Sequence, residues 1–167
     1  MVYSVMKNNV HPIKWIPILI TTVIAGTLDI IAACINAWLS NDVMPDRVLA
    51  YIASGIWGKA AYNGGPEMIF FGLLFHYIIV FSCAFCFFWL YSRWSLLHRS
   101  IAANAVLIAF TAWLVTTQLV LRMSRITVPP FRVSDAVVAI AILIICLGFP
   151  IACAASRFIK SGYPMEP

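Results

Sequence analysis

Four long apolar runs set the pattern of this chain: Trp15 to Leu39, Met68 to Tyr91, Ile101 to Leu121 and Ala136 to Ser156. The first carries one charge, Asp29, and the second carries no formal charge but contains His76. The other two have none. An α-helix rises about 1.5 Å per residue, so about 20 apolar residues cross a hydrocarbon core of about 30 Å. Lipid offers no partners to free backbone N–H and C=O groups, so runs of this length are predicted as helices. The expected architecture is all-α: an integral membrane bundle of four transmembrane helices, 15–39, 68–91, 101–121 and 136–156, forming one domain over residues 1–167.

The ends of the runs fit this reading. Trp15 and Trp38 flank the first, and Trp89, Tyr91, Arg93 and Trp94 form an aromatic and basic belt after the second. Gly64, Gly65 and Pro66 break the chain before the second run. Ser100 suits the N-cap of the third helix, and Ser134 or Asp135 that of the fourth. Pro150, inside the fourth run, is expected to kink it. Lys7 and Lys14 precede the first run as in a signal peptide, but its length and Asp29 favour a retained helix.

The segment 46–62 has a different pattern. Leu49, Ile52, Ala53, Ile56 and Ala60 recur at helical spacing, while Asp46, Arg47, Ser54 and Lys59 fall elsewhere. It is too short and too charged to cross. A short amphipathic helix is expected between the first and second crossings, interfacial or re-entrant against the bundle.

Within the long runs, polar and small residues share faces. Thr22, Ala25, Asp29, Ala32 and Asn36 follow steps of three and four in the first, and Gly72, His76, Ile79, Cys83 and Cys86 do so in the second. The third offers Asn104, Ile108, Thr111, Val115, Gln118 and Arg122, and the fourth Ala139, Ile142, Cys146, Phe149 and Cys153. Such faces meet other helices. They can be packing seams joined by interhelical hydrogen bonds, or they can line a polar path.

Composition sharpens the membrane assignment. Of 167 residues, 63% are hydrophobic and only 10% charged, with mean hydropathy +0.95. A soluble domain of this size could not cover that much apolar surface. The net charge of +5 is spread over tails, loops and helix ends, which suits membrane lipid headgroups and excludes nucleic acid as a partner. Four crossings put both termini on one side. That side carries Lys7, Lys14, Arg93, Arg99, Arg157 and Lys160, against Arg47, Lys59, Arg122, Arg125 and Arg132 opposite. The slight surplus places the termini in the cytoplasm.

Asp29 is the sharpest chemical signal, because a carboxylate within a membrane helix is costly and needs protein, water or a partner. His76 is the candidate partner. Counted from the helix ends on one side, both residues lie roughly 12–15 Å deep. Such a pair could carry a proton, bind a cation or neutralise itself, and in the last case Asp29→Leu would strand His76. The candidate intramembrane polar site comprises Asp29, His76, Asn36 and Gln118, with Arg122 and Arg125 as possible lipid headgroup contacts. Cys83-Ala-Phe-Cys86 has the C-x-x-C spacing, yet no second cysteine pair or adjacent histidine completes a metal set. No catalytic set, metal site or cofactor is expected, since none of the nucleotide, hydrolase or zinc-protease motifs occurs.

Several stretches resemble a group of uncharacterised bacterial four-helix inner-membrane proteins. They are Gly26-Thr27-Leu28-Asp29, Arg47-Val48-Leu49 with Ile52-Ala53-Ser54-Gly55, Gly58-Lys59-Ala60-Ala61 with Gly64-Gly65, and Gly72-Leu73-Leu74-Phe75-His76. The resemblance implies a multi-pass bacterial inner-membrane protein and puts weight on Asp29, the 47–65 segment and His76, but implies no activity. The function expected first is a non-enzymatic component of a membrane assembly, as a homo-oligomer or within a larger complex. The alternative is a small oligomeric channel or transporter that handles protons or a small solute along an Asp29/His76 seam.

Overall fold

The computed structural model describes residues 15–117 and 133–160, the last of these by its backbone only. The described elements are all helical, with no strand among them. Helix α1 spans Trp15–Asn41, α2 Pro45–Trp57, α3 Gly65–Arg93, α4 Ile101–Val115, α5 Val133–Leu143 and α6 Phe149–Lys160. The 3-10 turns Gly58–Asn63 and Ser95–His98 join α2 to α3 and α3 to α4. A π turn, Ile144–Gly148, links α5 to α6, and together they make one apolar helix over Val133–Ile159.

Three of these, α1, α3 and the α5–α6 helix, are long and apolar enough to cross a membrane, and α4 is a shorter apolar helix. Only 28% of the most apolar stretch of α1, and 22% of that of α3, is buried inside the protein. Ile16, Leu19, Val23, Ile31 and Leu39 of α1 all face outward. That much exposed apolar surface is stable against lipid and not against water.

α1 and α3 run antiparallel. The Trp15 ring stacks on Phe85 with centroids 5.5 Å apart, and further along Gly26 meets His76 and Tyr77. The α5–α6 helix packs against α1, α3 and α4, whereas α3 and α4 touch little beyond their joining turn.

The buried rows differ from the predicted stripes in a regular way. In α3 the buried residues Gly72, His76, Val80, Ala84 and Phe88 step by four, and in α4 so do Asn104, Ile108 and Ala112. Cys86, Thr111 and Val115, assigned to the packing faces from alternating steps of three and four, are exposed instead. Packing along rows of step four inclines the buried line to the helix axis, so it drifts away from a stripe parallel to that axis. Thr111 remains satisfied on the outer face because its hydroxyl donates to Leu107 O at 2.8 Å.

Pro150 acts through the turn before it, as a π turn within the helix. Lacking an N–H, it leaves Cys146 O without its helical partner, and the chain widens into the π turn 144–148. The wider turn changes the phase of the helix. Phe149, predicted on the buried face, is therefore exposed, and Gly148, Ile151, Ala152 and Ala155 are buried in its place.

At the α3–α4 turn the buried Asn104 amide donates to Leu97 O at 2.6 Å, and the predicted N-cap Ser100 accepts from Ala103 N at 3.2 Å. Ser134 and Asp135 lie within the first described turn of α5. Asn104→Ala is expected to destabilise the fold by about 1 kcal/mol or more, because it strands a buried carbonyl. Thr111→Ala should have almost no effect. Thermal unfolding in mild detergent checks this, and equal midpoints for both variants would contradict the assigned role of the turn.

Candidate functional site

A cavity of about 360 Å³ opens between the helices, with walls from α1, α2, α3, α4, α5 and the π turn. Asp29 and Asn36 reach it from α1, and His76 and Cys83 from α3. The predicted polar residues of the first two long helices thus converge on one space. Gln118, Arg122 and Arg125 lie outside the described residues.

α2 supplies one wall. The turn before it is closed by Asp42, whose φ of 52° and N–H bond to Trp38 O make an αL cap on α1. Pro45 then opens α2 at a position that needs no N–H. The contact with α3 is unusually close: Leu49 O lies where a side chain on Gly72 would begin. Farther along α2, the Trp57 ring packs on Phe71 and Phe75 at 5.0 and 5.4 Å. Both contacts hold α2 against the Phe71–Phe75 turn of α3. Ala50, Ala53 and Ser54 are buried in this contact, while Ile56, predicted on the apolar face, is 61% exposed. Val48, Tyr51 and Ile52 are left to close the cavity above Asp29. Burial, reinforced by the Tyr62 phenol nearby, holds the Tyr51 phenol above its ordinary pKa.

Asp29 and His76 share the cavity and lie within electrostatic reach of one another, but no direct bond joins them. The His76 ring Nε2 instead donates to Gly26 O across the α1–α3 contact at 2.9 Å. A carbonyl can only accept, so Nε2 carries a proton, and Nδ1 is the nitrogen not used in this bond. Beside it the Tyr77 and Thr27 hydroxyls share a 2.8 Å hydrogen bond that also ties α3 to α1. Asp29 is half-buried and makes no hydrogen bond or ion pair with a described residue. Among the described residues every buried side-chain nitrogen and oxygen has a partner, so the Asp29 carboxylate oxygens are accessible from the cavity.

The rest of the wall is mainly apolar, from Ile30, Ile79, Val80, Ile142 and Leu147. Trp113, Thr116 and Thr117 of the α4 end also line it. These three and Tyr51 escaped detection in the sequence. For the threonines the signal was an unused one, two adjacent hydroxyls in an apolar run at the level of Gln118. For Tyr51 it was the helical step from Val48.

Cys83 and Cys86 diverge, the first lining the cavity and the second exposed, and both are free thiols. Among the described residues no three His, Cys, Asp or Glu side chains come together as a metal site would require. Compared with protein-family models, curated proteins and solved structures, the chain matches none.

Proposed function

We propose that the chain is a small transporter or channel of the bacterial inner membrane that takes a small solute or proton through the Asp29/His76 cavity. The supporting observation is the convergence itself. Two ionisable groups from different helices meet in one cavity, and the Asp29 carboxylate is not consumed in holding helices together. Structural glue would be bonded, whereas an unbonded intramembrane carboxylate facing a cavity is placed for transport. In this reading α4 continues past its described end to a fourth crossing, both termini face the cytoplasm, and copies associate to complete the path. The bacterial inner membrane rests on the sequence resemblance alone.

Flux tests this reading. Protein reconstituted into liposomes should dissipate an imposed pH gradient, and Asp29→Asn should slow that dissipation by about tenfold or more, as expected when an essential charged relay is removed. Equal rates for wild type, Asp29→Asn and empty liposomes would reject it.

The accessory-subunit reading rests on a different observation: Ile16 and Trp38 of α1 are 71% and 55% exposed, at opposite ends of one apolar face. Another protein's helix could cover that face as well as lipid does. Stoichiometric co-purification of a second polypeptide in mild detergent would favour this reading over transport.

A further inference from the structure

We infer that the cavity selects an organic cation, an amine or quaternary ammonium with a compact apolar body. This rests on the reading of the cavity as a solute site and names the chemical class of the solute. The polar inventory of the wall carries the inference. Asp29 is the only Asp, Glu, Lys or Arg among the described lining residues. Its oxygens are accessible and unbonded, as set out above.

The remaining polar groups are neutral and mixed: Asn36, Tyr51 and Trp113 can donate, while other groups offer acceptors. The Thr116 and Thr117 hydroxyl hydrogens are committed to Ala112 O and Trp113 O, at 2.8 and 2.7 Å. What these hydroxyls offer the cavity is therefore lone pairs. His76 has spent its Nε2–H on Gly26 O. An anion would meet the Asp29 carboxylate with no Lys or Arg among the described lining residues to offset it. A ligand bearing N–H donors or a positive charge finds complementary partners.

The apolar remainder of the wall distinguishes an organic cation from an inorganic one. Ile30, Val80 and Leu147 cannot replace the hydration shell of a bare metal ion, and the side chains do not gather into a ligand set. They do suit a hydrocarbon or aromatic body. Trp113 and Tyr51 add aromatic rings, whose faces attract alkylammonium groups. The volume of about 360 Å³ lies at the lower end of the range for small-molecule sites, which sets a limit near one ring and a short chain.

The test is equilibrium dialysis of three probes against the protein in lipid nanodiscs, with empty nanodiscs subtracted. The probes are 4-phenylbutylamine, its trimethylammonium analogue and the neutral 4-phenylbutanol. Both cations are expected to bind saturably and about tenfold or more tighter than the alcohol, a preference that charge-assisted contact readily supplies. Asp29→Asn should abolish the preference and Asp29→Glu should retain it, both variants eluting and melting as wild type does. Ala33→Leu, which fills the cavity wall, should weaken all three probes and so place them there. Equal affinity for the three probes, unaffected by Asp29→Asn but reduced by Ala33→Leu, would overturn the cation inference and leave the solute site standing. Absence of saturable binding by any probe would overturn both.

Discussion

Valine in place of Gly72 is expected to detach α2 from α3, and valine in place of Gly148 to separate α4 from the π turn. At Gly72 the obstacle is Leu49 O and at Gly148 it is Ala105 O. Both are backbone atoms of a packed helix and cannot rotate away as a side chain would. Valine gains a few tenths of a kcal/mol in helix propensity over glycine. Overpacking costs about 1–3 kcal/mol where side chains can adjust, and more where a whole helix must move. The clash therefore wins. Each variant should unfold at a clearly lower temperature in mild detergent, while Ile78→Val on the exposed face of α3 should match wild type. The two glycine variants should also differ from one another. Gly72→Val should expose the α2 region to added protease first, because α2 closes the cavity and is held mainly by α3. Wild-type midpoints for both would show that neither close approach exists.

His76 should separate anchoring from chemistry. Its bond to Gly26 O holds α3 to α1, so His76→Leu is expected to destabilise the bundle by about 1 kcal/mol, in line with interhelical hydrogen bonds in membranes. His76→Gln supplies an amide donor for the same carbonyl and should unfold near the wild-type temperature. Glutamine cannot take up or release a proton at neutral pH, so proton flux should fall in both variants if His76 has a relay role. Full flux with His76→Gln would assign the residue to anchoring alone. The same bond corrects an expectation from the sequence. Asp29→Leu does not strand His76, because the histidine is anchored to Gly26 and not to Asp29. Its effect should appear in binding and flux more than in stability.

Much of the fold was legible because the membrane imposes strong rules on sequence. Apolar length alone located the long helices, and the observed α1 and α3 extend the predicted 15–39 and 68–91 by two or three residues at their free ends. Ser100 and the Gly64–Pro66 break acted where local chemistry said they would. Asp29 and His76 were identifiable as isolated ionisable groups in apolar runs, and their matching depth followed from the helical rise.

Phase and partner choice were not legible. Cys86, Thr111 and Phe149 were each placed on a buried face and each is exposed. A periodic stripe specifies a face only as long as the helix keeps one phase and packs parallel to its neighbour. Packing along rows of step four and a single π turn both break that condition.

The sequence by itself determined that this is a helical membrane protein, which runs must be helices, and that a carboxylate and an imidazole lie at similar depth within them. Those properties follow from local composition and a fixed rise per residue. Only the tertiary structure decided that His76 bonds to a backbone carbonyl while Asp29 stays unbonded, and that Tyr51, Trp113 and two threonines join them around one cavity. These depend on the azimuth of each helix about its axis. Azimuth is set by where backbones can approach, at Gly72 against Leu49 and Gly148 against Ala105, and residues far apart in the chain settle it together.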